Sequence, residues 1–132
     1  AIGDEVTVNG TYREYYGLVE IEYGVTTVTG SGTISPLTVS ACDVGTGGAD
    51  AERYEGMLLR VEKVTVTDSN PDDPDDYGTF VVEDCLWIDD CLADDYETHP
   101  AVVTAYSSIT GPLNYSYDEN RICPATASDI AK

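Results

Sequence analysis

The residues best suited to chemistry lie in one acidic loop, Asp68–Gly78, which begins with five aspartates and one asparagine within nine residues. Ca²⁺ takes about six to eight oxygen ligands, and closely spaced carboxylates and amides supply them while the ion offsets their mutual repulsion. The spacing does not match the EF-hand pattern, and the alternative is a solvated acidic turn kept polar by two prolines. The sequence therefore predicts a calcium site with the ligands Asp68, Asn70, Asp72, Asp73, Asp75 and Asp76.

Further acidic pairs follow this loop, at Glu83–Asp84, Asp89–Asp90 and Asp94–Asp95. They either form a second cation site or cap exposed turns. Glycosidases use paired carboxylates as acid and base, but that chemistry needs a fixed separation across a cleft, which this pattern does not indicate. His99, the one histidine, precedes Pro100 and has no partner in a recognised nucleophile motif. We therefore expect no enzymatic activity, and a fragment of a secreted hydrolase is the least favoured interpretation.

Four cysteines, an even number in a short chain, indicate disulfide bonds. The absence of a Cys-x-x-Cys pair argues against a zinc or redox site. The sequence alone does not choose among the possible pairings. Because Cys85 and Cys91 lie close in the chain, we expect them to pair with each other and Cys42 to pair with Cys123. Two such bonds predict an oxidising, extracellular compartment.

The chain is strongly acidic, since six basic and twenty-five acidic side chains give a net charge of −19. Such a charge repels phosphate backbones, so nucleic acid is not an expected partner. No apolar run approaches the roughly 18 residues needed to cross a membrane, so membrane insertion is not expected. The sequence opens at Ala1 without a signal peptide, and we interpret it as a mature secreted product or an excised fragment.

Alternating apolar residues separated by glycines predict an all-β chain. The pattern opens with short strands on both sides of Gly17. In the strand that begins at Met57, the apolar positions change from odd to even numbers around Glu62–Lys63, which predicts a β-bulge that bends the strand between two sheets. The glycine-rich span from Ala41 to Ala51 predicts a loop with a short helical turn.

Two distant segments resemble each other, which indicates an internal repeat. Thr7–Tyr16 aligns with Ser108–Tyr117, and further along Ile21 aligns with Ile122. The alternative is that two hairpins with a glycine turn look alike by chance. A real repeat would give the chain two copies of one hairpin but only one long bent strand. The aligned pairs are Val8 with Ile109, Gly10 with Gly111, Tyr12 with Leu113 and Tyr16 with Tyr117.

Four motifs together resemble a known family. They are Gly-Asp-x-Val-x-Val-x-Gly-Thr from Gly3, Tyr-Glu-Gly-Met-Leu-Leu-Arg-Val from Tyr54, Tyr-Gly-Thr-Phe-Val-Val from Tyr77 and Ile-Thr-Gly-Pro-Leu-Asn-Tyr from Ile109. As a set they are similar to the OB-fold-like modules of secreted bacterial proteins, which are often found beside extracellular nuclease and lamin-tail domains. The likeness covers roughly residues 3–23 and 54–124.

The resemblance implies an all-β fold: an OB-like Greek-key barrel with an additional N-terminal β-hairpin, stapled by disulfides. We expect the hairpin region at residues 1–40, a loop at 41–53 and the barrel core at 54–132. In that family the hairpin usually closes one module before the next module begins. The N-terminal hairpin is therefore expected to complete a barrel, either its own or that of a neighbour.

Tyrosine is the dominant aromatic residue, with ten copies against one phenylalanine and one tryptophan. Rings that carry a hydroxyl suit sheet faces and interfaces, although core and edge packing is the alternative. We predict a surface for carbohydrate or another protein chain at Tyr12, Tyr15, Tyr16, Tyr115 and Tyr117. N-glycosylation sequons start at Asn9 and Asn114.

The sequence as a whole favours a secreted, non-enzymatic structural module, because exposed strand edges favour pairing with another chain. Such a module would self-associate or join other extracellular chains in a fibre, a surface layer or a larger surface protein. Bound Ca²⁺ would offset its charge. The alternative is a monomeric extracellular accessory domain that binds a ligand, with carbohydrate the first candidate.

Overall fold

The protein is built mainly of β-strands in the computed structural model, which describes residues 3–132. The all-β prediction is confirmed. The chain forms two compact units, one ending at Ser35 and the other spanning Pro36–Lys132. Ala1, where we predict a mature N-terminus, lies outside the described residues.

The first unit is a two-stranded antiparallel sheet of β1 (Asp4–Tyr15) and β2 (Leu18–Ser31), which we call the ribbon. A two-residue turn at Tyr16 and Gly17 joins the strands, and the φ angles of 48° and 87° are both positive. Turns of this kind match the right-handed twist of the flanking strands. The alternating sequence on both sides of the turn therefore closes into a tight hairpin.

One of two register shifts in the ribbon lies between Asn9 and Thr11. Gly10 occupies this point, where an added Cβ would collide with the side chain of Ile21 on the opposite strand. A bulge at such a position increases the local twist of the pair. Glycine is therefore required here for the two strands to approach each other.

The second unit is a ring of five strands with short additions. Its strands bond in the order β4-β5-β6-β8-β7, and β7 returns to β4 to close the ring. Neighbours in the ring are antiparallel except β6 and β8, which are parallel. The ring strands are β4 (Leu58–Asp68), β5 (Thr79–Val82), β6 (Leu86–Asp89), β7 (Ala105–Ser116) and β8 (Glu119–Ile122).

The additions lie outside the ring. Strand β3 (Leu37–Thr38) pairs with β4, and β9 (Ile130–Ala131) pairs with β7 beyond a 3-10 turn at Ala127–Asp129. Two one-turn helices, α1 (Ala41–Val44) and α2 (Ala51–Tyr54), lie around the glycine-rich span predicted to be a loop with a helical turn.

The core of this unit fills the inside of the ring. Each ring strand contributes apolar side chains that are almost fully removed from solvent, and Phe80 is the largest. Burying one such side chain stabilises the fold by about 1.5–3 kcal/mol. The buried side chains include Leu59, Val61, Val66, Phe80, Val82, Leu86, Ile88, Ile109, Leu113 and Ile122.

In strand β4 the buried positions change from odd to even numbers where the sequence predicts, but no β-bulge accompanies the change. Leu59 and Val61 are buried before the change and Val64 after it, while Glu62 and Lys63 are both exposed. The expected bulge is absent from the register with β7, which runs unshifted from Leu58 to Thr65. Instead Lys63 adopts a left-handed backbone with φ 55°, an uncommon conformation for a residue with a side chain.

The predicted disulfide pairing is wrong, although all four cysteines are bonded. Cys42 pairs with Cys85 and Cys91 pairs with Cys123, at Cα–Cα distances of 5.2 and 5.6 Å. Strand β6 lies between Cys85 and Cys91 and alone spans about 13 Å, whereas disulfide Cα atoms must lie within about 7 Å. Because β6 and β8 are parallel, their C-terminal ends meet at the same side of the ring, which brings Cys91 to Cys123.

Two covalent staples of this kind are compatible with an extracellular protein. Across residues 3–132 no helix is long and apolar enough to cross a membrane.

Candidate functional site

The acidic loop predicted to bind calcium is held by local hydrogen bonds. Oδ1 of Asp68 accepts the backbone N–H of Asn70 at 3.0 Å, and Oδ2 of Asp72 accepts the hydroxyl of Thr79 at 2.6 Å. Oδ1 of Asp76 accepts the backbone N–H of Gly78 at 3.1 Å. These contacts are typical of aspartates that stabilise turns.

The same loop does not present an assembled cation site. In the part of the chain that the structure describes, no three His, Cys, Asp or Glu side chains converge in a way that would hold a metal ion. His99 lies beside the loop, with Nε2 3.1 Å from Oδ1 of Asp76. Calcium binding therefore stays a prediction for Asp68, Asn70, Asp72, Asp73, Asp75 and Asp76.

One carboxylate of the later acidic pairs has a structural role that the sequence did not indicate. Asp89 is buried and forms an ion pair with the buried guanidinium of Arg121, which also donates to the carbonyl of Ser116 at 2.8 Å. The guanidinium lies 5.5 Å from the ring centroid of Trp87. Asp89 therefore ties β6 to the β7–β8 hairpin.

The adjacent Asp90 is electrostatically unfavourable in its charged form. Burial first, and then the neighbouring carboxylates Asp89, Asp94 and Asp76, raise the pKa of its side chain. Like charges held near one another favour the protonated form. This cluster is therefore a place where the ring unit is sensitive to pH.

The five predicted interface tyrosines belong to two different hairpins. Tyr12, Tyr15 and Tyr16 lie in the ribbon, whereas Tyr115 and Tyr117 lie in the β7–β8 hairpin. Tyr16 and Tyr117 are 86% and 93% exposed, because both stand at the tip of a turn. Tyr115 is half-buried, and its hydroxyl donates to Asp118.

The ribbon carries the largest group of exposed apolar side chains in the described chain. Alternation and the strand register put six of them on one side of the sheet, and we call this side the apolar face. Their exposure runs from 40% for Val8 to 68% for Tyr12. The apolar face consists of Val6, Val8, Tyr12, Val19, Ile21 and Val28.

The opposite side of the ribbon is mainly polar and includes Thr7, Asn9, Thr11, Arg13, Glu20, Glu22 and Thr27. Arg13 forms an ion pair with Glu22 across the strands. Asn9, the first sequon asparagine, is exposed on this polar side, while Asn114 in β7 is half-buried. The ribbon is therefore mainly amphipathic, although Tyr15 and Val25 share the polar side and Glu14 shares the apolar face.

The second half of strand β2 also lacks the usual protection of an exposed edge. Natural edge strands are commonly protected by charged side chains or proline, which discourage pairing with another chain. From Tyr23 to Ser35 this chain has neither, although it carries a net charge of −19. The second half of the ribbon is therefore the segment where another strand meets the least electrostatic resistance.

A ribbon of this kind is poorly stable by itself. An isolated two-stranded hairpin is at best marginally stable in water, and stability comes from further strands or from packing of the apolar side. The six side chains of the apolar face are about half exposed, so covering them would contribute roughly 5–9 kcal/mol before the entropic cost of association. This exposed face is the best candidate functional site.

Sequence reasoning found only one member of this face, Tyr12, as an interface residue. The signal for the others was the alternation of Val6 with Val8 and of Val19 with Ile21, combined with the uncharged stretch after Glu22.

No protein family, curated protein or solved structure matches this chain.

Proposed function

We propose that the protein is an extracellular, non-enzymatic assembly module that joins other protein chains through the apolar face of its ribbon. The observation that carries this proposal is the exposure of six apolar side chains on one side of a two-stranded sheet. Strands with open edges recruit further strands, and apolar sheet faces are normally covered. The disulfides are compatible with the extracellular setting.

We further propose that the ring unit is a barrel of the OB type. Two observations support this assignment: the ring has five strands, and it is closed by the pairing of β7 with β4. OB-folds are five-stranded Greek-key barrels. Nucleic-acid binding, which many such barrels perform, does not suit a chain of net charge −19.

The charge of the chain sets the conditions for assembly. Copies with a net charge of −19 repel one another, and added salt screens this repulsion, since the Debye length falls from about 10 Å at 0.1 M to about 3 Å at 1 M. Assembly through the apolar face of the ribbon is therefore expected to strengthen with ionic strength. Ca²⁺ at the acidic loop would act in the same direction.

The test uses two variants that differ only in the side of the ribbon they alter. Val8→Lys places a charge on the apolar face, and Thr7→Lys places the same charge on the polar side one residue earlier. Light scattering of the native chain across protein concentration, with and without EDTA, reports association. We expect the Val8→Lys change to weaken association at least tenfold and Thr7→Lys to leave it unchanged.

A native chain that stays monomeric at every concentration and salt level, with or without EDTA, would contradict assembly between copies of this chain and would leave only association with a different polypeptide. Equal effects of the two lysine substitutions would show that association does not depend on the apolar face. A monomeric chain that is retained on a glycan array would favour the carbohydrate-binding alternative.

A further inference from the structure

The ribbon and the β7–β8 hairpin have the same construction. Strands β1 and β7 are both 12 residues long, and β7 begins 101 residues after β1. Both hairpins close through a two-residue turn with two positive φ angles, at Tyr16–Gly17 and at Tyr117–Asp118. The segments that resemble each other in sequence therefore also share their turn geometry.

The strand registers agree residue by residue. Adding 101 to both residue numbers of a ribbon pair gives a pair of the β7–β8 hairpin. The ribbon pairs Tyr12–Ile21, Arg13–Glu20 and Tyr15–Leu18 correspond to Leu113–Ile122, Asn114–Arg121 and Ser116–Glu119, respectively. The two glycines also match, because a Cβ at Gly10 would collide with Ile21 and a Cβ at Gly111 would collide with Ile122. The two hairpins therefore share their turn, their register next to the turn and the position of a close glycine contact.

Equivalent positions on the inner side differ most in what covers them. Ile109, Leu113 and Ile122 are 0%, 1% and 0% exposed in the core of the ring, whereas their ribbon equivalents Val8, Tyr12 and Ile21 are 40%, 68% and 57% exposed. In the ring, β4 runs antiparallel to β7 on the edge away from β8, and β6 runs parallel to β8. Among the described residues, the ribbon strands pair only with each other.

We infer that the partner of the ribbon is a three-stranded meander of the β4-β5-β6 kind, supplied by another polypeptide that lacks its own closing hairpin. This inference rests on the proposed function. One strand of the meander pairs antiparallel with the free edge of β1, and another pairs parallel with the start of β2. Its inner apolar side chains cover Val8, Tyr12 and Ile21, as the ring core covers Ile109, Leu113 and Ile122.

Two copies of this chain do not supply that partner to each other. The meander of each copy is already closed by β7 and β8, and the disulfide between Cys91 and Cys123 fastens β6 to β8. Glu20 stands in the ribbon where Arg121 stands in the ring, so it would face the carboxylate of Asp89. The meander that accepts the ribbon therefore has no carboxylate at the position of Asp89.

Packing of one ribbon on another is also a weaker solution. A strand of 12 residues is roughly 40 Å long and a pair of strands is roughly 10 Å wide, so each apolar face offers about 400 Å². Two faces together bury about 800 Å², less than the roughly 1,200 Å² of a specific stable interface. A meander adds hydrogen bonds along the strand edges and a third strand, so it covers more of the ribbon than a second ribbon does.

The test supplies the meander in the same polypeptide. A second copy of residues 54–103 is fused directly before Gly3 of the full chain, which reproduces the spacing between β6 and β7 because residue 104 corresponds to residue 3. The added copy carries Cys85→Ser and Cys91→Ser to prevent mispairing, and Asp89→Asn to remove the repulsion from Glu20. Hydrogen exchange of the β1 and β2 amides and light scattering are the two readouts.

We expect ribbon amides in the fusion to exchange at least 100-fold more slowly than in the native chain, and ribbon-dependent association to disappear. A matched fusion whose added copy carries Leu59→Asp and Val61→Asp should give neither result. A separate control carries Cys85→Ser and Cys91→Ser in the native chain without the fusion. It shows whether a meander with these substitutions still closes on β7 and β8.

Failures of the two proposals are distinguishable. Unprotected ribbon amides in the fusion, together with association that still depends on Val8, overturn the meander as partner and leave the assembly function standing; this result would favour ribbon-to-ribbon packing. A native chain that never associates, together with protected amides in the fusion, overturns assembly between copies of this chain and supports the meander geometry, in which a different polypeptide is the partner. Equal protection in both fusions also overturns the meander.

Discussion

Replacing Ile21 and Ile122 with alanine, one at a time, compares the same residue at the same hairpin position in two environments. Ile122 is fully buried in the ring, and Ile21 is 57% exposed in the ribbon. The substitution removes three carbon groups worth about 0.8 kcal/mol each, and a buried site adds the cost of a cavity. We therefore expect Ile122→Ala to lower the free energy of unfolding of the ring unit by about 2–5 kcal/mol.

The expected effect at Ile21 is different in kind. About 43% of its side chain is already covered within the chain, so the ribbon loses roughly 1 kcal/mol of local stability. The remaining 57% becomes covered on association, and its loss of roughly 1.4 kcal/mol corresponds to about tenfold weaker association. Ile21→Ala is expected to leave the stability of the ring unit unchanged.

Trp87, the only tryptophan, makes the assay specific because it lies in β6 of the ring. Urea unfolding followed by its fluorescence reports the ring unit, and light scattering of the same samples reports association. Equal losses of ring stability from the two substitutions would refute the argument that the ribbon face is uncovered. Unchanged association after Ile21→Ala would refute its role in binding.

Three further predictions concern the ring unit. The pKa of Asp90 is raised in the folded state, so its protonated form stabilises the fold below the ordinary pKa of 3.8, and this contribution is lost as pH rises through the folded-state pKa. Asp90→Asn should therefore raise the urea midpoint at pH 7 and raise it less at pH 4. The surface control Asp43→Asn should not change the midpoint at either pH. Peptide mapping by mass spectrometry should find Cys91 linked to Cys123, and replacing both by serine should cost about 2–4 kcal/mol of unfolding free energy. Calcium should bind the acidic loop with a dissociation constant of about 0.1–1 mM, because no assembled set of ligands is present among the described residues; calorimetry should show this binding reduced by Asp72→Asn and abolished by EDTA.

The strands were predictable because alternation is a local property. The alternation of Val6 with Val8 and of Phe80 with Val82 predicts strands without any knowledge of the rest of the fold. The same alternation shows the change of buried side at Glu62–Lys63. The left-handed backbone of Lys63 was not visible, because nothing in the residue type favours this conformation.

Pairing between distant elements could not be predicted. The disulfide between Cys91 and Cys123 follows from the parallel neighbours β6 and β8, which are far apart in the chain. Alternation likewise shows that Val8 and Ile21 share a side of the ribbon, but it does not show that this side is exposed while the equivalent Ile122 is buried. Burial depends on which elements surround a hairpin, and that information is not local.

The two disulfides also determine how the ring unit would carry tension. A pull applied between Pro36 and Lys132 reaches Cys42, crosses to Cys85, follows the short β6 segment to Cys91 and crosses again to Cys123. The segments bypassed have sequence separations of 43 and 32 residues, and together they would otherwise lengthen the chain by roughly 250 Å on unravelling. Most of the ring is thus excluded from the covalent load path, and a fibre built from such units would stretch little before a covalent bond bears the force.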